Sequence, residues 1–401
     1  MMFIALSVYY VTVVHMDPLQ LVLVGTVLEA TYLFFEVPTG VVADTYSRRL
    51  SVIIGMFVLS AAWLLEGALP FFAAILAAEA VRAVGEAFTS GATHAWLADE
   101  VGEENVGPIL LRSGQVYRIF GILGTVAGAA LGSWRLNVPV LLGGGIYLAL
   151  GIFLVVFMGE NGFKPVTQVE RNTWRSMTAT FRQGIGVVRG SHVLLALLLV
   201  SAVLGISSEG YDRLWEAHFL TNLTFPAVGT LKPVIWFGII AISADLLGLG
   251  VTEMYRRRLE SVSRDVRRTA RWLMVLSILG IIGGVAIALA GNFPLAMVAL
   301  LARAVVGALH WPLYDTWLIQ HIQPEVRATV ISMMGQANAF GQVAGGPGVG
   351  AVGKFVSLRA ALVISALLFT PAPLLYGWVL RRQAGPTEQF EVPEAAQAAL
   401  D

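Results

Sequence analysis

The sequence contains no cysteine. That excludes a disulfide frame, a thiolate metal site and a thiol nucleophile. Charge is also scarce. Asp, Glu, Lys and Arg make up 13% of the 401 residues, about half the share a soluble domain carries. The 26 basic and 26 acidic residues cancel, so no overall field draws the chain to nucleic acid. The N-terminus has no basic stretch and no small-residue cleavage site, so no cleavable signal is expected. No cluster has metal-ligand spacing and no Ser, His and Asp have the spacing of a triad, so no metal, no cofactor and no enzymatic activity are expected. The run "GVGAVGKF" at 348–355 fits a phosphate loop only until Phe355, which stands where Ser or Thr is needed. It also ends an apolar helix rather than joining a strand to one, so ATP-driven transport has no support.

What the chain has in quantity is apolar length. Hydrophobic residues are 57% of the total, and the mean hydropathy is +0.74. A soluble protein of this composition would lack a polar surface, so an all-α integral membrane protein in a lipid bilayer is expected. Twelve apolar runs lie near 3–16, 19–43, 50–69, 71–97, 109–132, 137–158, 192–220, 233–252, 272–290, 293–320, 328–353 and 360–380. The first is too short to span, since a crossing takes about 20 residues. Lys and Arg collect in alternate loops, from Arg48 and Arg49 to the run Arg256–Arg271 and to Arg381 and Arg382. The positive-inside rule then places both termini in the cytoplasm of a cell, with the chain in the plasma (inner) membrane.

The second half of the chain echoes the first. "RAVGEAFTSGATHAWL" at Arg82 recurs as "RAVVGALHWPLYDTWL" at Arg303, 221 residues on. "GVVADTYSRR" at Gly40 has a worn copy, "GVTEMYRRR", at Gly250. The expected organisation is a six-helix bundle over 1–159, a cytoplasmic linker over 160–191, a second six-helix bundle over 192–382 and a disordered tail over 383–401. In the linker, Trp174, Met177, Phe181, Ile185 and Val188 keep helical spacing, as expected of a helix lying on the membrane surface. The repeat also measures the first segment. Segment 7 begins near His192, 58 residues before Gly250, and the same distance before Gly40 falls near position −18. A start codon upstream of residue 1 is the expectation, and a genuinely short first helix the alternative.

Charges inside apolar helices face water or other helices, because lipid exposure costs several kcal/mol each. Segments 3, 6, 9 and 12 have none in their interiors, with Glu66 only at the end of segment 3. The candidates for substrate or proton contact are Glu29 in segment 2, Arg82 and Glu86 in segment 4, Arg118 in segment 5, Glu209 in segment 7 and Asp245 in segment 8. Segment 10 adds Arg303, His310, Trp311, Tyr314 and Asp315. Glu79, Arg82 and Glu86 share one helix face, so Arg82 can pair with either acid. Arg303, His310, Tyr314 and Trp317 share another. Trp311 and Trp317 have the spacing to stack on a flat or cationic ligand, with interfacial packing the favoured reading for Trp317.

The loop after segment 2 carries the most specific signal. Its "GVVADTYSRR" resembles the Gly-x-x-x-Asp-Arg-x-Gly-Arg-Arg/Lys motif of the major facilitator superfamily through Gly40, Asp44, Arg48 and Arg49, with Thr45 and Ser47 as departures. "WLADE" supplies Asp99 where that family has a further acid, and "PEVRATV" (Glu325, Arg327) is similar to its second-half loop. The resemblance implies a major facilitator fold, two six-helix bundles related by a pseudo-two-fold axis. It also implies a gating latch built on Asp44, Arg48 and Asp99, and alternating access around a midplane site. The family's drug:proton antiporters carry Gly-x-x-x-Gly-Pro-x-x-Gly-Gly in segment 5. Here segment 5 reads "GILGTVAGAALG" without Pro, and a partial form, "GQVAGGPGVG", lies in segment 11. The function expected is proton-coupled efflux of small amphipathic molecules by a monomer. A proton-coupled importer of a small metabolite and a non-transporting sensor or scaffold are the rival readings.

Overall fold

A computed structural model describes residues 1–163, 185–227, 231–322 and 327–382. The expected tail and most of the expected linker helix, including Trp174, Met177 and Phe181, lie outside the described residues.

The described chain folds as helices joined by short turns: α1 Met2–Thr12, α2 Pro18–Thr45, α3 Arg48–Ala68, α4 Phe72–Val101, α5 Glu103–Trp134 and α6 Val138–Phe157, then α7 His192–Asn222, α8 Pro233–Ser263, α9 Val266–Leu289, α10 Phe293–Gln320 and α11 Arg327–Phe355. Segment 12 is two helices, α12 Leu358–Leu368 and α13 Pro371–Arg382. One continuous span was expected there. The break falls at Phe369–Thr370, because Pro371 has no N–H to continue the ladder. The starts follow local chemistry. Asp17, Ser47, Ser191, Asp265, Asn292 and Ser357 each accept a backbone N–H of the first turn with their side chains. Such caps satisfy donors that would otherwise be stranded near lipid. Among the described residues, nine spans are long and apolar enough to cross a membrane. At 11 residues α1 is about 16 Å long, roughly half a bilayer core.

The helices form two six-helix bundles. In the first, α3 packs on α4 and α6, and α2 on α4. In the second, α7 packs on α11 and α12, and α10 on α8 and α9. Small residues set the close approaches. A Cβ on Gly55 of α3 would meet the backbone carbonyl of Gly85 on α4, and one on Gly341 of α11 would meet that of Ala202 on α7. Gly40 makes no such contact: the space above it is open. Thr39 makes the α2–α4 approach instead, its hydroxyl donating to the Ala87 carbonyl at 3.0 Å.

The bundles join toward one end. Leu19 and Val22 of α2 lie against Gly350 of α11, and Ala129 of α5 lies against Gly238 of α8. Lys232 at the start of α8 donates to the Ser133 carbonyl at 2.5 Å. Lys354 at the end of α11 pairs with Asp17 at 2.9 Å. Toward the Arg48 end the same helices expose Phe34, Tyr117, Leu247 and Met254. The bundles are therefore closed together at the Asp17 end and apart at the other.

Candidate functional site

The charges of α4 build one side of the site. Arg82 is 5% exposed. Its Nε and Nη2 donate to Glu79 at 3.0 and 2.5 Å, and its Nη1 donates to Glu86 at 2.8 Å. The guanidinium lies 5.1 Å from the ring centre of Trp63 on α3. Spacings of three and four residues put both acids on the arginine's face, as expected. The chemistry goes further than the spacing. Glu66, near the end of α3, is fully buried and accepts a short hydrogen bond from the Tyr10 hydroxyl of α1. That hydroxyl also stands 3.4 Å from Glu79. Two fully buried carboxylates, Glu66 and Glu79, thus meet at the Tyr10 hydroxyl, with Arg82 bonded to Glu79, while the Glu86 side chain is 39% exposed. Glu66 Oε2 has no partner among the described residues. Sequence reasoning passed over Glu66 because it lies at a helix end. The available signal was Trp63 one turn before it, which places the acid on the α3 face that meets Arg82.

The opposite wall comes from α7. Glu209 is 2% exposed and accepts from Arg213 Nε at 3.1 Å. It sits where three helices meet, because a Cβ on Gly25 of α2 or on Gly346 of α11 would run into it. Arg213 feels Glu79, Arg82 and Tyr10 across the gap as well as Glu209. Glu29 is half-buried on α2 and lies within electrostatic reach of Glu209, Arg213, Glu86 and Arg82. Glu29, Arg82, Glu86 and Glu209 therefore belong to one charged zone between the bundles. Arg213 joins this zone, because α7 turns that face toward α2.

Segment 10 divides in two. Arg303 and His310 line a cleft of about 90 Å³ between α7 and α10, backed by α9 and α12. Trp311 stands there too, 43% exposed. Tyr314 turns inward and donates to the Leu197 carbonyl of α7 at 3.1 Å. Trp317 is fully buried against Tyr376 and His321. Of the two readings of Trp317, packing is the one its position fits, in the core rather than at an interface: Tyr376 on α13 holds it. Arg118, Asp245 and Asp315 are exposed, and no described residue bonds to them.

The loop latch forms within the first bundle. Arg48 donates to Asp99 at 2.5 Å and to the Ala95 carbonyl at 3.0 Å, and stands 3.6 Å from Asp44. Arg49 caps α6 instead, donating to the Met158 and Val155 carbonyls at 2.5 and 2.6 Å. Ser47 shows why the family glycine is dispensable here. Its hydroxyl accepts from Leu50 N–H, capping α3, and donates to Glu160 at 2.6 Å.

A model of the Major Facilitator Superfamily matches residues 1–258. The uncharacterized MFS-type transporter YxaM of Bacillus subtilis (strain 168) is 23% identical over 360 residues, covering 90% of this chain and 87% of that one. Among solved structures, the nucleoside transporter NupG superposes with a TM-score of 0.68 at 15% identity, over 94% of this chain and 93% of that one. The peptide transporter POT gives 0.70 at 14% identity, over 95% and 90%. A bacterial homolog of the human lysosomal transporter Spinster, inward-facing and unoccupied, gives 0.69 at 14% identity, over 94% of each chain.

Proposed function

The chain belongs to the major facilitator superfamily, and from that premise we propose that it exports small amphipathic molecules by alternating access in exchange for protons. It is a multi-pass membrane transporter and not an enzyme. In this reading residues 1–159 and 192–382 rock as units about the charged zone between them. The Lys and Arg bias puts the Arg48 end in the cytoplasm of a plasma-membrane protein, so the state described is open inward.

The observation that carries proton coupling is the buried group Tyr10, Glu66, Glu79 and Arg82. Glu66, Glu79 and Arg82 sum to one negative charge that a single proton neutralises, with Glu86 left to the open gap, and burying an uncompensated charge is expensive. Exposure rises along the row from Glu66 and Glu79, both 0%, through the Arg82 side chain at 6% to that of Glu86 at 39%. A proton lodged at Glu66 or Glu79 thus has a polar route to the open gap. Substrate occupies the gap beside Glu29, Glu86 and Glu209.

The test uses everted vesicles with an imposed pH gradient and a panel of lipophilic dyes. Gradient-driven uptake that a protonophore collapses is expected. In Glu66→Gln, which keeps the shape of the side chain and fixes it neutral, gradient-driven uptake is lost while dye exchange at equal pH persists. Uptake insensitive to the gradient in the unaltered chain would sink proton coupling. Movement of nucleosides or peptides, with no dye transported, would sink the cargo assignment.

A further inference from the structure

We infer that Arg303 and the cleft around it form a binding site for the anionic end of a singly charged organic molecule, such as a carboxylate on an aromatic or aliphatic body. The inference rests on the transport reading only in taking that molecule as the cargo.

The two repeat-related arginines have different fates. Arg82 has its donors taken by Glu79 and Glu86. Arg303 occupies the matching place on α10 and has no ion pair with any described carboxylate. Its buried Nε has no hydrogen-bond partner. Its guanidinium carbon lies 3.9 Å from the ring centre of Tyr211, a contact that holds the cation without neutralising it. Asp212 on α7 is the acid whose charge acts on Arg303. Its side chain is exposed and makes no pair with the arginine. A guanidinium placed in a low-dielectric wall with no carboxylate in contact is costly. An incoming anion removes that cost.

The walls fit such a guest. Ser207 and Ser277 bring hydroxyls to the cleft, and the Ser277 hydroxyl lies 3.4 Å from His310 Nε2. His310 is 7% exposed and edges onto Trp311 at a ring separation of 5.4 Å. The lining therefore offers one cation, neutral donors and aromatic faces, with no carboxylate among its residues. The volume of about 90 Å³ takes a carboxylate head, being about three times the share of one water. It does not take a whole drug-sized molecule. Helices α7 and α10 touch each other little, while α9 and α12 close the back of the cleft. The body of the guest then extends past Trp311 into the gap between the bundles. One cation also sets the charge, since a dianion would bring an uncompensated negative charge into the wall.

The deciding measurement is calorimetric titration of the full chain in detergent micelles with benzoate, its neutral isostere benzamide, and benzylamine. Saturable benzoate binding is expected, with no measurable binding of benzamide or benzylamine. Arg303→Gln should weaken benzoate about tenfold or more, and Arg303→Lys should recover part of that loss. If the Gln variant does not yield folded protein, the benzoate against benzamide comparison in the unaltered chain decides alone. Equal affinity for the two, no saturable benzoate binding, or an unchanged affinity in Arg303→Gln each overturns the inference. Gradient-driven dye flux without benzoate binding would remove this site and leave the transport reading standing. Benzoate binding without any flux would do the reverse.

Discussion

Arg82 and Arg303 occupy equivalent places in the two halves, yet their neighbours give them different chemistry. Among the described residues Arg82 is the guanidinium that touches Glu79 and Glu86. Removing it would strand the buried Glu79 carboxylate and leave Glu86 unpaired. Arg82→Ala is therefore expected to destabilise the protein by about 3–5 kcal/mol, read as a clear loss in melting temperature in detergent. Glu86→Gln, at a side chain 39% exposed, should leave the melting temperature nearly unchanged. Equal melting of Arg82→Ala and the unaltered chain would show that the buried pair carries no structural weight. The pairing of Arg82 with its own helix was legible from residue spacing. Tyr10 and Glu66 were not, because 56 positions separate them in sequence, and only side chains of α1 reaching the end of α3 bring them together.

At the scale of the element, glycine and proline decide more than hydropathy does. The run Gly341–Gly350 resembles a motif tied to antiport, but its glycines work here as contact surface. Gly341 and Gly345 face the α7 backbone at Ala202 and Ile206, and Gly346 and Gly350 face α2 at Val22. Helices in lipid associate through such small residues, because the bilayer supplies no hydrophobic drive between them. Gly341→Leu should force α7 and α11 apart and cost about 1–3 kcal/mol, measured by thermal unfolding. An unchanged melting temperature would mean the helices separate freely there. The Ser47 cap makes a second case. Ser47→Ala removes both the α3 cap and the tie to Glu160, with an expected cost of about 1 kcal/mol. Helix number and order were readable from apolar run length. The break at Pro371 was not taken from the run because composition barely changes across it, although the proline was in plain view.

For the whole molecule, the ion pair at the closed end is Asp17 with Lys354. Partial burial pushes the Asp17 carboxyl up, but the Gln20 N–H and the Lys354 ammonium outweigh it and hold the group below the usual carboxylate range. A carboxyl depressed in the closed state favours closure above its ordinary range near 4 and loses that contribution as pH falls through the depressed value. Acidification below about pH 4 should therefore loosen the closed end, and Asp17→Asn should do so at neutral pH. Both partners are partly exposed, so a modest shift in population is expected. Because the chain has no cysteine, thiol spin labels placed at the ends of α2 and α11 report that distance without background. A distance distribution unchanged by Asp17→Asn would assign closure to the glycine contacts alone.

Residue order alone was enough to read a helical membrane protein with repeating halves and Arg48 within reach of Asp44. These follow from local quantities: apolar length and residue spacing. Asp99 as a further partner came from the resemblance to the family loop. Which charges meet was settled by packing. It took Tyr10 and Glu66 into the Arg82 cluster, left Arg303 out of any ion pair among the described residues, drew Trp317 and Tyr314 into the core, and closed the bundles at one end. Such outcomes depend on how each helix is rotated and tilted against neighbours distant in sequence. An amphipathic pattern gives a helix a polar face but does not say which neighbouring helix that face will meet.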